Sequence, residues 1–220
     1  SHKYDVPFLF ETNVGAGLPV IDTLKHLVNS GDKINAINAV LSGSLNYIFN
    51  NFNKNNTFHD VVKQAQKEGY TEPDPRIDLS GIDVARKLLI LARESGEIMN
   101  INDIENEAFL TKKCMTASSV ESFYDNLKSE EAHFQKLFLK AELNQCQLKY
   151  VAEYKNGVAK VGLKEIPKGH PFYNLEGKDN IVMFYTNRYN DQPMIIKGAG
   201  AGSEVTASGL FADIVRTSKN

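Results

Sequence analysis

The sequence has few cysteines, little net charge and no long hydrophobic segment, and each shortage excludes a class of protein. The two cysteines, Cys114 and Cys146, lack the CxxC spacing of a zinc or redox site. We therefore expect reduced thiols and a cytoplasmic protein. A formal charge of −2 gives no electrostatic reason to expect nucleic acid or an anionic membrane as partner. No apolar run approaches the roughly 18 residues of a membrane span, and no signal peptide is recognisable.

The residues that are present predict an ordinary globular protein of the α+β class. Hydrophobic residues make up 42% of the chain and charged residues 24%. Periodicity and turn residues predict strands at 6–11, 33–41, 148–154, 158–166, 181–186 and 193–197. They predict helices at 19–30, 45–49, 57–65, 81–96, 116–142 and 204–217. Helices and strands alternate without a strict βαβ repeat, which favours α+β. The chain does not begin with methionine, so we expect a piece of a longer protein.

A stiff acidic loop, residues 69–81, runs directly into a mostly apolar helix. That helix places Asp83 and Lys87 four residues apart, on one face. Such a pair is most often a surface salt bridge contributing a few tenths of a kcal/mol. Here the helix has only a narrow polar edge and follows three further acids. A lysine in a partly desolvated acidic pocket can stay charged and donate a proton, which is the catalytic alternative.

The acids of the loop, Glu72, Asp74 and Asp78, support two different predictions. Carboxylates can bind a hard cation such as magnesium or calcium. They can equally bind the ammonium group of a small substrate. Pro73 and Pro75 stiffen the loop, and a preset orientation suits both.

Two glycine-rich loops are weak signals for a nucleotide. The loop at 15–17 lacks the third glycine of the dinucleotide motif, and the loop at 198–203 is a near miss of it. Only residues 204–220 follow the second loop, which is too few for a Rossmann unit. It is either a simple helix start or a loop whose amides approach a phosphate or nicotinamide.

Five segments in order resemble successive signatures of the homoserine dehydrogenase family. They are ETNVGAGLP at 11–19, LSGSLNYI at 41–48, GYTEPDPRIDLSG at 69–81, DVARK at 83–87 and GAGAG at 198–202. The resemblance covers essentially the whole chain, but not the Rossmann half of the family. The helical stretch at 116–142 and the hairpin after it resemble the bifunctional aspartokinase–homoserine dehydrogenases more than the shorter enzymes.

The resemblance implies one catalytic domain over residues 1–220, with substrate and dimerisation functions. Its fold would be a mixed β-sheet covered by helices on one side. The implied reaction is the NAD- or NADP-dependent, reversible reduction of L-aspartate 4-semialdehyde to L-homoserine, in threonine, methionine and isoleucine biosynthesis. Lys87 and Asp83 would be catalytic. The residues implied to bind substrate are Glu72, Asp78, Tyr70, Gly43 and Ser44.

The same resemblance implies a nicotinamide cofactor, a monovalent cation and partner subunits and domains. Gly198, Gly200 and Gly202 would approach a nicotinamide bound mainly by residues outside this chain. A monovalent cation such as Na⁺ would lie at Glu11 and the backbone of Val14, Ala16 and Leu18. We expect a homodimer or higher oligomer, covalently preceded by a Rossmann domain and in the bifunctional enzymes by an aspartokinase domain. The alternatives are an inactive dimerisation and substrate-binding module, or a cation-binding protein built on the acidic loop.

Overall fold

The computed structural model describes residues 7–218 as helices around one β-sheet. The helices are α1 (Val20–Asn29), α2 (Gly43–Asn51), α3 (Phe58–Lys67), α4 (Pro75–Leu79), α5 (Ile82–Glu94), α6 (Lys112–Met115), α7 (Val120–Ser129), α8 (Glu131–Leu143) and α9 (Ser203–Thr217). The strands are β1 (Ile34–Val40), β2 (Ile104–Glu107), β3 (Cys146–Lys155), β4 (Val158–Pro167), β5 (Asp179–Thr186) and β6 (Met194–Ala199). Short 3₁₀ turns lie at Glu11–Asn13 and Ile101–Asp103.

The sheet is mixed, as the family resemblance implies. Its strand order is β2-β4-β3-β1-β5-β6. The β2–β4 pair is parallel, and the other neighbouring pairs are antiparallel. The β3–β4 hairpin turns at Asn156 and Gly157, both with positive φ, as the Asn-Gly signal predicts.

One face of the sheet packs against the helices and forms the main core. Inward residues such as Ile37, Tyr154 and Phe184 are no more than 3% exposed and belong to one cluster with the apolar faces of the helices. Since successive side chains of a strand point to opposite faces, the neighbouring residues of these strands face away from the helices. The expected one-sided covering is confirmed.

The second face, which we call the open face, is only partly covered. At one end, Phe172 and Leu175 pack over Val40, Val151 and Met183. The rest is a shallow hollow of about 740 Å³ lined by both apolar and charged side chains. Residues around this hollow include Ala36, Asn38, Glu153, Val158, Lys160 and Tyr185.

The predicted strand at residues 6–11 is wrong where it can be judged. Val6 lies outside the described residues; residues 7–10 have no regular structure, and Glu11 begins a 3₁₀ turn. The Glu11 amide donates to the Asp213 carboxylate of α9, and not to a neighbouring strand. Phe8 is 71% exposed, and Leu9 and Phe10 are only half-buried, so this short apolar run shows neither burial nor pairing in a sheet.

The helical stretch predicted at 116–142 is confirmed and consists of two helices, α7 and α8. Strand β2 and the short helices α4 and α6 are absent from the predicted pattern. Strand β2 was missed because three of its four residues are charged or amide side chains and exposed. Helix α4 lies inside the acidic loop, where the Asp74 carboxylate accepts from the Arg76 amide and Pro75 occupies the first turn.

Both cysteines are free thiols in the structure. Within residues 7–218, none of the helices is both long enough and apolar enough to cross a lipid bilayer.

Candidate active site

A polar cleft of about 580 Å³ lies where the start of α2, the acidic loop, α5 and the glycine loop before α9 come together. These elements are far apart in the sequence and are joined by the sheet order, because β1 leads into α2 while β5 and β6 place the glycine loop beside it. The residues lining the cleft are Ser42, Gly43, Ser44, Glu68, Gly69, Tyr70, Glu72, Asp78, Asp83, Lys87, Lys178, Gly200, Ala201 and Gly202.

Lys87 reaches the cleft from the polar edge of α5. Its ammonium donates to the Asp83 carboxylate at 2.7 Å and to the Leu41 carbonyl, at the end of β1, at 3.0 Å. The Lys87 side chain is 22% exposed, whereas that of Asp83 is 55% exposed. Asp83 also lies in the first turn of α5, where the helix dipole favours a negative charge. The pair is therefore a positioned ammonium group whose third hydrogen is free to face the cleft.

Asp78 organises the acidic loop against α2. Its two carboxylate oxygens accept from the Ser44 hydroxyl at 2.7 Å and from the Glu72 amide at 2.9 Å. Ser42 caps the same helix by accepting from the Leu45 amide. The Glu72 carboxylate has no hydrogen-bonding partner among the described side chains, although its backbone is held by Asp78. It is an anchored carboxylate that is available to a cation.

Tyr70 is held in the wall of the cleft by a second tyrosine. The rings of Tyr70 and Tyr47 stack with centroids 3.9 Å apart. The Tyr47 hydroxyl donates to Glu68 at 2.7 Å, and burial together with this carboxylate raises the pKa of Tyr47 to about 12. Tyr47 therefore remains a donor throughout the physiological range and fixes the plane of Tyr70.

The glycine loop presents bare backbone to the cleft. A Cβ on Gly200 would lie 2.0 Å from the Asn180 side chain, so any other residue would displace the loop. The Gly200 amide donates to the Lys178 carbonyl at 3.3 Å, and Gly202 has a φ of +136°. The Asn180 amide group is buried, and neither its nitrogen nor its oxygen has a partner among the described residues. Such a compact strand-to-helix turn is suited to close approach by a flat cofactor ring or a phosphate.

Glu11 lies apart from this cleft, in the loop before α1. Its carboxylate accepts from the amides of Ile21 and Asp22 at 2.7 and 2.8 Å, which caps α1. Burial raises the pKa of Glu11 above its usual value, although these two amides oppose the shift. Ala16 has a positive φ of 54°, and the Leu18 carbonyl accepts from the Val20 amide.

The structure brings most of the predicted residues together. Gly43, Ser44, Tyr70, Glu72, Asp78, Asp83, Lys87, Gly200 and Gly202 line one cleft. Gly198 does not line it; this residue pairs with Asn180 in the β5–β6 ladder. Glu68 and Lys178 also line the cleft and carried no signal in the sequence, since neither lies in a motif and only the tertiary fold places them there.

The acidic loop does not form a metal cluster. Over residues 7–218, no three His, Cys, Asp or Glu side chains come together as metal ligands. Asp74 instead forms an ion pair with Arg76 at 2.5 Å, and Arg76 also donates to the Ala117 carbonyl. Asp78 is thus bonded to Ser44 and the Glu72 amide, and Asp74 to Arg76, which leaves only the Glu72 carboxylate of this loop available and disfavours a divalent cation here.

Comparisons with known proteins identify the family of the chain. The sequence profile described as homoserine dehydrogenase matches residues 19–215. Bifunctional aspartokinase/homoserine dehydrogenase 1 of Zea mays is 46% identical over 213 residues, which cover 96% of this chain and 23% of that protein. The chain therefore spans about a quarter of the length of this relative.

Solved structures share the fold. A Candida auris protein of unknown function has a TM-score of 0.90 and 40% identity, and the match covers 96% of this chain and 60% of the other. A hyperthermophilic archaeal homoserine dehydrogenase in complex with NADPH has a TM-score of 0.74 and 26% identity, covering 99% and 57%. The profile match over most of the chain, the ordered motifs and the cleft that they form lead to one conclusion: the chain belongs to the homoserine dehydrogenase family.

Proposed function

We propose that these residues supply the substrate site and the catalytic pair of a homoserine dehydrogenase, an oxidoreductase that interconverts L-homoserine and L-aspartate 4-semialdehyde with NAD or NADP. The observation that carries the proposal is the placement of Lys87. Its ammonium is held by Asp83 and the Leu41 carbonyl and still lines a cleft that also contains an available carboxylate, Glu72. One cleft thus offers a carboxylate to the ammonium group of the substrate and an ammonium group to the oxygen on which negative charge develops.

The chemistry of the chain is proton transfer and charge stabilisation. As the aldehyde becomes an alkoxide, Lys87 stabilises the developing charge and gives a proton to the oxygen. Asp83 keeps the lysine charged and oriented. Glu72, supported by Asp78, binds the α-ammonium group, and Tyr70 and Ser44 shape the adjacent wall. In the reverse direction Lys87 receives the proton from the hydroxyl of homoserine.

The residues present fit a nicotinamide cofactor. Gly200 and Gly202 line the cleft, and the Gly200 backbone packs so closely against Asn180 that a Cβ there would clash with the Asn180 side chain. Binding of NADPH by the archaeal relative supports this assignment, in which Gly198 fixes the loop from the strand side. When bound, the cofactor supplies or accepts the hydride. Its choice between NAD and NADP depends on residues outside this chain.

The proposed function is tested by assaying the whole protein that carries these residues. We expect homoserine-dependent reduction of NAD⁺ or NADP⁺, followed by nicotinamide absorbance. The isolated 220 residues should be inactive, because the described part of the chain has a mostly antiparallel sheet and no dinucleotide-binding βαβ unit. Absence of turnover in the whole protein would contradict the proposal.

A monovalent cation such as Na⁺ at Glu11 is part of the same proposal. The family resemblance places this cation at the Glu11 carboxylate and the backbone carbonyls of Val14, Ala16 and Leu18, and the buried Glu11 carboxylate is an oxygen ligand of the kind that hard cations prefer. We expect a higher melting temperature in sodium chloride than in choline chloride at equal ionic strength. Glu11→Gln should abolish this difference, whereas the exposed Glu121→Gln should keep it. An equal change in melting temperature in wild type and Glu11→Gln would contradict the proposed cation site.

We further propose that the open face forms the interface of a homodimer. The open face carries the ion pair Lys160–Glu105 at 2.6 Å and two exposed apolar side chains, Val158 at the hollow (47% exposed) and Ile195 opposite Met183 (45% exposed). Val158→Asp should turn the dimer into a monomer in analytical ultracentrifugation, because an unpaired charge would be buried. Leu143→Asp, on the exposed end of α8, is the control and should stay dimeric. A monomeric wild type, or a dimeric Val158→Asp, would argue against this interface.

We propose that the parent protein carries an aspartokinase domain, which the name of the bifunctional Zea mays relative supports, and a Rossmann domain, both preceding these residues. The free thiols of Cys114 and Cys146 support a reducing compartment such as the cytoplasm. Sequencing upstream of residue 1 tests the first proposal, and fluorescence microscopy of the tagged protein tests the second.

A further inference from the structure

The proposed substrates carry one charge for which the cleft has no assigned partner. An α-amino acid at neutral pH has an ammonium group and a carboxylate. Glu72 is available for the ammonium group, and Lys87 faces the reacting oxygen. The ammonium of Lys87 already donates to Asp83 and to the Leu41 carbonyl, so it does not serve the α-carboxylate as well. A second cationic group in the cleft would complete the recognition of a zwitterion.

Lys178 is the second lysine that lines the cleft. It follows the turn before β5 and extends between two glycines, Gly43 at the start of α2 and Gly202 at the start of α9. A Cβ on Gly43 would lie 3.2 Å from the Lys178 Cβ, and a Cβ on Gly202 would lie 3.5 Å from its Nζ. The ammonium of Lys178 therefore lies beside the glycine loop, at the ends where both helices carry partial positive charge.

Lys178 does not pair with the acids that line the same cleft. Four acids line it, namely Glu68, Glu72, Asp78 and Asp83. In residues 7–218, Lys178 forms no ion pair with any of them, and its Nζ makes no side-chain hydrogen bond. Its ammonium thus lies more than 4 Å from each of these carboxylates and is available to an anionic ligand.

The backbone that carries Lys178 is fixed by a buried polar cluster. The Asn46 amide donates to the Gly177 carbonyl at 2.9 Å. Lys149, which is 0% exposed, donates to the side chains of Asn46 and Asn50 and to the Leu175 carbonyl. Burial lowers the pKa of Lys149 to about 8, so it remains mostly charged at neutral pH. This cluster holds the 175–177 turn against α2, and an ordinary surface lysine has no such support.

We propose that Lys178 is the oxyanion-binding residue of the cleft, with the α-carboxylate of the amino-acid substrate as its partner. The proposal rests on the proposed function. The shared chemistry is an anionic oxygen, and a phosphate of the dinucleotide is the other source of one near the glycine loop. The cleft thus holds both carboxylates and an unpaired ammonium group, which match the two charges of a zwitterion and favour the carboxylate as the partner of Lys178.

The test is steady-state kinetics of Lys178→Met in the whole protein. Loss of a charge-assisted contact to the carboxylate should raise KM for L-homoserine about tenfold or more, with kcat within about twofold of wild type. Lys178→Arg, which keeps the charge, should restore most of the affinity. Lys168→Met removes an exposed lysine from the same loop but outside the cleft, and it should behave as wild type.

A substrate without the carboxylate separates the two sources of the anion. Wild type should use 3-aminopropan-1-ol far less efficiently than L-homoserine, and Lys178→Met should reduce this preference by the same factor by which its homoserine KM rises. A raised KM for the dinucleotide alone would identify a phosphate as the bound anion. Unchanged KM values for both substrates, or a fall in kcat alone, would overturn the role of Lys178. An inactive wild type would contradict the proposed function itself, so the two failures are distinct.

Discussion

Lys87→Ala in the whole protein should lower turnover by about 10²-fold or more, the usual cost of losing a general acid. The reason is geometric as well as chemical. Lys87 is the ammonium that the end of β1 and the first turn of α5 hold at the cleft, and no other described lysine has both a carboxylate and a backbone carbonyl to orient it there. KM for homoserine should change much less than kcat, because the interaction with the oxygen strengthens as its charge develops.

The control for this variant is Lys25→Ala. Lys25 also pairs with an acid of α5, Glu94 at 3.3 Å, but it lies on α1, away from the cleft. Loss of that half-buried pair, and of the contact between the Lys25 ammonium and the Phe10 ring, should change stability by about 1 kcal/mol and leave turnover unchanged. Thermal melts of both variants establish that each is folded. Near-wild-type turnover in Lys87→Ala would end the proposal that this lysine is catalytic.

Gly81→Ala should be the most damaging small substitution for stability. Gly81 precedes α5 with a φ of +72°, and a Cβ there would lie 1.9 Å from the Tyr150 hydroxyl. Tyr150 cannot yield easily, because it is 1% exposed and donates to the Asn106 side chain at 2.9 Å. The left-handed backbone and the overpacking together should cost about 2–5 kcal/mol, measured by urea denaturation.

Gly96→Ala provides a matched comparison at the other end of the same helix. Gly96 also has a positive φ, +99°, but its Cβ would meet nothing within 4 Å. Gly96→Ala should therefore lower the free energy of unfolding only by the backbone strain, about 1–2 kcal/mol. The difference between the two variants measures the contact with Tyr150. Equal losses at Gly81 and Gly96 would show that this contact does not constrain α5.

The position of Gly81 connects stability with catalysis. Asp83 and Lys87 follow it by two and six residues on the same helix, so a shift that relieves the clash moves the catalytic pair. We accordingly expect kcat to fall in Gly81→Ala even at temperatures where the protein is fully folded, while Gly96→Ala retains it.

Local sequence was a good guide wherever a single segment determines the structure. The apolar run after Asp83 predicts a mostly buried helix with a narrow polar edge, and α5 buries Val84, Leu88 and Leu91 while Asp83 remains exposed. Thr57 caps α3 by accepting from the Asp60 amide, as its position before the helix predicts. Caps, turns and periodicity act over a few residues, so they can be recognised without knowing the fold.

Predictions failed where contacts between distant residues determine the local structure. The segment at 6–11 is apolar, but Glu11 bonds to Asp213 and to α1, and residues 7–11 form no strand. Strand β2 is polar and pairs parallel to β4, an interaction with residues more than 50 positions later in the chain. Neither outcome could be predicted from a local pattern, because a short apolar or polar run does not show which distant segment it will contact.

By itself, the sequence determined the class of the fold, the α5 helix with its Asp83–Lys87 pair, the stiff acidic loop and the family. The tertiary structure alone decided how these parts share one cleft. It bonded Asp78 to Ser44 and to the Glu72 backbone, left the Glu72 carboxylate available, and placed Lys178 beside the glycine loop. The physical reason is that hydrogen bonds and ion pairs form between neighbours in space, and the order of strands in the sheet determines which distant segments become neighbours.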